Sequence, residues 1–182
     1  MLEAERYKNV YDVLDTLRRR PGMFLGAKSM ALLQAFLSGL TFANLPAGTP
    51  SFWDFSRWFV VRARPESSSF PWHHIEEKVG AERAVDVYFE FLDEFRSNTL
   101  SELARVRPPF HPTFVVVTNG QETIPEIPEH LALIRLTPSN VVFLREHYAR
   151  RAEPVTEAFE NVHAAQVAAE QRWGVPLDRW QL

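Results

Sequence analysis

Apolar residues recur at helical spacing through roughly the first hundred positions. Short aliphatic runs between turn formers follow. Val10, Leu14 and Leu17 make one stripe with Tyr7 and Tyr11 beside it, which predicts a helix over Glu3–Arg19. Pro21 disfavours the α conformation at Arg20 and should end that helix. A second helix is predicted over Lys28–Phe42, with Leu32, Phe36 and Leu40 as its row and Leu33 and Leu37 alongside. Asn44–Pro50 reads as a loop. Ser51–Arg64 starts on a serine cap and carries Phe52, Trp53, Phe55, Trp58 and Phe59. It is predicted helical, although its tail, WFVVRAR, also suits an extended chain. PESSSFP is a loop, and WHHIEEKVG a short helix ending at Gly80. Ala81–Asn98 gives the strongest helical signal: Val85, Phe89 and Leu92 form the row, widened by Tyr88, Phe91 and Phe95.

After about Pro108 the pattern changes. TFVVVT and LALIRLT are strand candidates, being short, aliphatic and bounded by turn formers. SNVVFLREHYARR fits a strand running into a helix, or a helix from a serine cap. Ala152–Gly174 is predicted as the C-terminal helix, with Pro154 in its first turn and Gly174 just past its end. The resulting fold class is α+β. A mostly helical N-terminal part precedes a small sheet of two or three strands after about residue 110, then a C-terminal helix. Residues 1–182 are expected to form a single domain, with an internal division near 105–112 compatible with the pattern.

Composition narrows the function classes. The net charge of −3 gives no global attraction to nucleic acid or an anionic membrane, so neither partner is expected. The absence of cysteine excludes disulfides, thiolate metal sites and a cysteine nucleophile. The N-terminus has no apolar segment of the signal-peptide kind, and no apolar run has the length of a membrane span. The expected location is the cytoplasm.

The most distinctive string is LRRRPGMFLG, Leu17 to Gly26. It asks whether Arg18–Arg20 contact a phosphate. Without help from elsewhere, the residues read as a corner. Pro21 stops a helix, Gly22 permits positive φ, Met23, Phe24 and Leu25 plug into a core, and Gly26 frees the chain, with Arg20 left to solvent or a carboxylate. Val13 to Gly26 resembles the N-terminal segment of the DNA gyrase B-type ATPases. That resemblance implies a following helix with a glutamate base and a magnesium-holding asparagine. The following helix here, MALLQAFLSGLTFAN, contains no acid, and no Gly-rich phosphate loop occurs. A catalytically lost nucleotide-binding relative is the alternative this leaves.

RPGMFLG, then FLSGL, FWDFSRWF, a tryptophan before a short acidic helix, and AVDVYFEFLDEF follow in an order that resembles a second group. These are small bacterial proteins of the RPGMYLG type, largely uncharacterised. Several are encoded beside polymorphic or contact-dependent toxins and are regarded as immunity proteins. The similarity runs from about Tyr11 to Phe95, with Phe24 in place of the usual tyrosine. It implies a non-enzymatic protein that neutralises a toxin.

Three further features bear on chemistry. In WHHIEE, His73 and Glu77 lie one helical turn apart, but a zinc site needs a third ligand and the other histidines are scattered, so no metal or cofactor is expected. Between Glu76 and Glu94 seven acids face two bases, a local charge of −5. Asp86, Glu90, Asp93 and Glu94 share one helical face. Such a face suits a basic protein partner, a nuclease toxin for example. Trp180, near the chain end, is the aromatic expected at a docking surface. No nucleophile elbow or triad accompanies the serines, so no catalytic residue is assigned. The reading is a toxin-neutralising immunity protein that occludes its partner's active site. A regulatory interaction module is a further alternative, and the oligomeric state is open.

Overall fold

The computed structural model describes residues 7–43, 45–63, 71–118 and 121–182. The predicted start of the first helix, position 44, Arg64 and most of the PESSSFP loop lie outside the described residues. The chain is mixed α and β and divides into two compact units, Met1–Ser97 and Asn98–Leu182.

The first unit is helical. Its elements are α1 (Val10–Arg19), α2 (Pro21–Leu25), α3 (Met30–Leu40), a 3-10 turn (Phe52–Asp54), α4 (Phe55–Ala63), α5 (Pro71–Val79) and α6 (Ala81–Arg96). Asn9 caps α1 in a capping box: its side chain accepts from the Asp12 amide, and Asp12 accepts from the Asn9 amide. The longest helix, α6, organises the core by burying Ala84, Val85, Tyr88, Phe89, Leu92 and Phe95. Phe55 stands edge-on to Tyr88 at 5.4 Å, and Trp58 lies 5.4 Å from Phe95. The WFVV tail of α4 is therefore helical, because Trp58 and Phe59 must both reach α6. Gly80 has φ +79 and turns the chain between α5 and α6, which L side chains would resist.

The second unit is a four-stranded antiparallel sheet, in the order β1 (Thr99–Val106), β4 (His130–Thr137), β5 (Val142–His147), β6 (Val155–Phe159). A separate two-stranded hairpin is made by β2 (Val116–Thr118) and β3 (Gln121–Thr123). Helix α7 (Val162–Trp173) covers one sheet face, and Ala165, Ala169 and Trp173 share a core with Ala104, Val106, Leu131, Leu133, Val142 and Leu144. Asn161 caps α7 and Gly174 ends it in the left-handed conformation.

Several expectations change here. The sheet begins at Thr99, not after residue 110, and has four strands. Residues 142–147 are strand, with no helix from a serine cap. The segment expected as the start of the C-terminal helix is β6, so Pro154 precedes a strand and α7 starts ten residues later than its predicted Ala152. Val155 and Phe159, four apart, satisfy both a helical stripe and an alternating strand. The alternation Val155, Glu157, Phe159 on the α7 side is the one the register realises.

Candidate functional sites

Helix α6 does place Asp86, Glu90, Asp93 and Glu94 on its outward side, since the opposite side is occupied by its aromatic core row. Three of these carboxylates have counter-ions. Lys28 Nζ sits 2.6 Å from Asp86, Arg18 Nη1 2.5 Å from Asp93, and Arg62 Nε 2.6 Å from Glu94. Arg18 also lies 5.4 Å over the Phe89 ring. These pairs are about half exposed, so each adds a few tenths to about 1 kcal/mol. Their larger effect is on the field. The −5 counted along the chain is offset in space by cations from α1, the α2–α3 connection and α4. Glu90 alone of the four makes no ion pair with another described residue.

The RPGMFLG corner differs from its expected form. Arg20 closes α1, its amide donating to Thr16 and Leu17 carbonyls, and Pro21 then opens α2 at its first position. Positive φ occurs at Gly26 (+71), not at Gly22, which is helical. Leu25 is buried and Phe24 meets Phe36 edge-on at 5.6 Å, but Met23 is 71% exposed and anchors nothing. A three-residue plug cannot form on one helical turn, because consecutive side chains point about 100° apart. A cleft of about 570 Å³ beside α1 is lined by Lys8, Arg18 and Arg19, but also by Asp12 and Asp15. Arg20 does not line it, and Asp15 is held by Arg96 at 2.6 Å.

Trp180 is not at a surface. It is 5% exposed and belongs to the core beneath α7, where its Nε1 has no hydrogen-bond partner. Most of the exposed large apolar residues described in the second unit lie instead in and beside the β2–β3 hairpin. Phe114, Val115, Val116, Val117, Ile124 and Ile127 are all exposed, with Val117 at 63% and Ile124 at 77%. The strands are three residues long, pair with no other described strand than each other, and leave an open edge on each side among the described residues. The hairpin is tied down at its base. The His111 and Thr113 amides donate to the Trp173 and Arg172 carbonyls, the Thr113 hydroxyl donates to the Gln171 carbonyl, and Phe114 stands edge-on to Trp173. The sequence shows the TFVVVT strand but not that both its faces lie outside the core.

Two clusters had no sequence signal. Glu146 on β5 is 4% exposed and accepts from Arg172 (2.6 Å), Trp173 Nε1 (3.0 Å) and the Tyr148 hydroxyl (2.7 Å). Arg172 continues to Glu157 at 2.6 Å, which ties α7 to β5 and β6. Burial and the Glu146 carboxylate push the Tyr148 phenol above its ordinary range. The second cluster pairs His130 with His147, two histidines that sequence separation had set apart: they are opposite each other across β4 and β5. Alternation along two strands brings them together, which spacing within one segment cannot reveal. Among the described residues, no group of three or more His, Asp or Glu side chains is placed to hold a metal ion. No described helix is long and apolar enough to cross a membrane. Comparison of the chain with family models, curated proteins and solved structures returns no significant match.

Proposed function

We propose that the chain is a non-enzymatic, cytoplasmic protein-binding protein, an immunity protein that neutralises a cognate bacterial toxin by covering its active site. The observation that carries the binding reading is the β2–β3 hairpin. An isolated two-stranded hairpin is marginal in water, and an apolar one with two open edges is a template for another chain. A partner that covers it removes Val117 and Ile124 from water and can extend its edge by strand addition.

The charge of the hairpin segment supports a basic partner. Residues 113–129 contain Glu122, Glu126 and Glu129 and no Lys or Arg. Arg151 meets Glu126 at 3.8 Å, which leaves Glu122 and Glu129 as the acids of the segment that make no ion pair with another described residue. A toxin that acts on nucleic acid carries a cationic groove, and acidic positions beside an apolar contact suit it. The Asp86–Glu94 face has a smaller role than its sequence suggests. With three carboxylates engaged, Glu90 is the one that adds an unpaired charge. The resemblance over Tyr11 to Phe95 supports a toxin as the partner, and the exposed hairpin supports the place of contact.

Co-expression with the toxin encoded in the adjacent reading frame tests this. Cells should survive with the native chain and die with a Val117→Lys, Ile124→Lys variant of unchanged fold. Survival with the variant would remove the hairpin from the contact. Death with the native chain would remove the immunity reading.

A further inference from the structure

The two histidines of WHHIEE part company in the fold. His73 is exposed, whereas His74 is 6% exposed and its Nε2 has no hydrogen-bond partner. A buried polar nitrogen left unpaired costs free energy, which a ligand that pairs with it recovers. His74 and Lys78 stand one turn apart on α5, as Val87 and Phe91 do on α6, so each helix offers a pair on one face. Helix α4 packs against both: its Phe59 ring stands edge-on to Phe91 at 4.9 Å and to His74 at 6.4 Å. A cavity of about 320 Å³ lies among these three helices. Ile75, Val87 and Phe91 give it apolar walls, and His74, Lys78 and Arg62 line it as well. Both cations are exposed, so their stems can lie along the wall with the charge at the rim. Arg62 is engaged by Glu94, its Nε donating at 2.6 Å, and Lys78 makes no ion pair with another described residue. Among the described residues that line the cavity, none is acidic.

We propose that this cavity binds a small apolar monocarboxylate, of the medium-chain fatty-acid kind, with its carboxylate between His74 Nε2 and the Lys78 ammonium. The inference is independent of the toxin-binding reading. A cavity of this size, with apolar walls and a few polar groups, has the usual form of a small-ligand site. Its volume suits about ten heavy atoms, if each takes roughly the 30 Å³ of a liquid water molecule. The imidazole tautomer with its proton on Nε2 donates to one carboxylate oxygen, and the ammonium donates to the other. The tail then has Ile75, Val87 and Phe91 to cover it. A phosphate fits less well, because its second charge and further oxygens meet no matching donors beyond an arginine already held by Glu94. A neutral head leaves Lys78 unmatched, and a cationic one is repelled by it.

The test is calorimetric titration of the full chain with octanoate, octanol and octylammonium. Octanoate should bind saturably at one site, octanol about tenfold more weakly and octylammonium more weakly still. Lys78→Gln, at an exposed position, should weaken octanoate binding about tenfold and leave octanol binding unchanged. His74→Phe should do the same without lowering the melting temperature, since it keeps a ring against Phe59 and removes the unpaired nitrogen. Val87→Phe narrows the cavity and should remove the binding of octanoate and octanol alike. No saturable octanoate binding to the native chain would overturn the proposal. Equal octanoate binding by the native chain and a folded Val87→Phe variant would overturn the cavity as the site. Octanol binding as tightly as octanoate, or octanoate binding that ignores both Lys78→Gln and His74→Phe, would overturn the carboxylate assignment.

Discussion

Single residues set the sharpest energetic tests. Glu146 is a buried carboxylate with three donors, so removing it leaves Trp173 Nε1 and one arm of Arg172 without an acceptor. Glu146→Ala should lower the unfolding free energy by about 2 kcal/mol in urea denaturation, since the buried Trp173 Nε1 is left unsatisfied and Arg172 keeps only Glu157. Gly174 holds φ +62, and a Cβ there would lie 2.9 Å from the His111 carbonyl oxygen. Gly174→Ala should destabilise by about 2 kcal/mol, by strain and by loosening the tie between α7 and the hairpin base. Met23→Ser should change stability by under about 0.5 kcal/mol, because the side chain is exposed. A large loss on Met23→Ser would restore the plug reading of RPGMFLG. These residues were not equally legible. Gly174 announces itself by its place after a helix, whereas Glu146 is one acid among many until β5 and α7 meet.

At the scale of elements, legibility followed periodicity. The longer helices of the first unit were readable because each carries an apolar row, and α3 and α6 end within two residues of their predicted limits, whereas α2, which buries only Leu25, was read as a corner. β1 was missed because its register shifts between Glu102 and Ala104, and the bulge breaks the alternation of TLSELARV. The acidic face shows the same limit for charge: its counter-ions come from residues 58 and 75 positions away for Asp86 and Asp93. The sheet also carries a pH prediction. His130 and His147 both have lowered proton affinity in the folded chain, so the unfolded chain binds more protons as pH drops through their ordinary value near 6.5. Stability is fully present above that value and should fall as the pH goes below it. In His147→Asn, where one ring and its effect on the other are gone, urea midpoints should fall less between about pH 7 and about pH 5. An unchanged slope would mean that the pair does not govern the acid limb.

For the whole molecule, a net charge of −3 is small and its local excess is largely paired, so long-range attraction to a basic partner is modest. Reversal of Glu90 to Lys should therefore slow association by only a fewfold, and raising salt should have a similarly limited effect. Under the proposed function, affinity would come instead from apolar area, for which the exposed Val115, Val117, Ile124 and Ile127 are the candidates. The sequence displays these aliphatic residues but not that they escape the core, because that depends on the four-stranded sheet closing without β2 and β3. The most direct measurement is a binding titration of the purified toxin domain against the native chain and the Val117→Lys, Ile124→Lys variant. The variant should bind at least about a hundredfold more weakly, mostly through faster dissociation, with an unaltered melting profile. Equal affinity for the two proteins would contradict the hairpin contact.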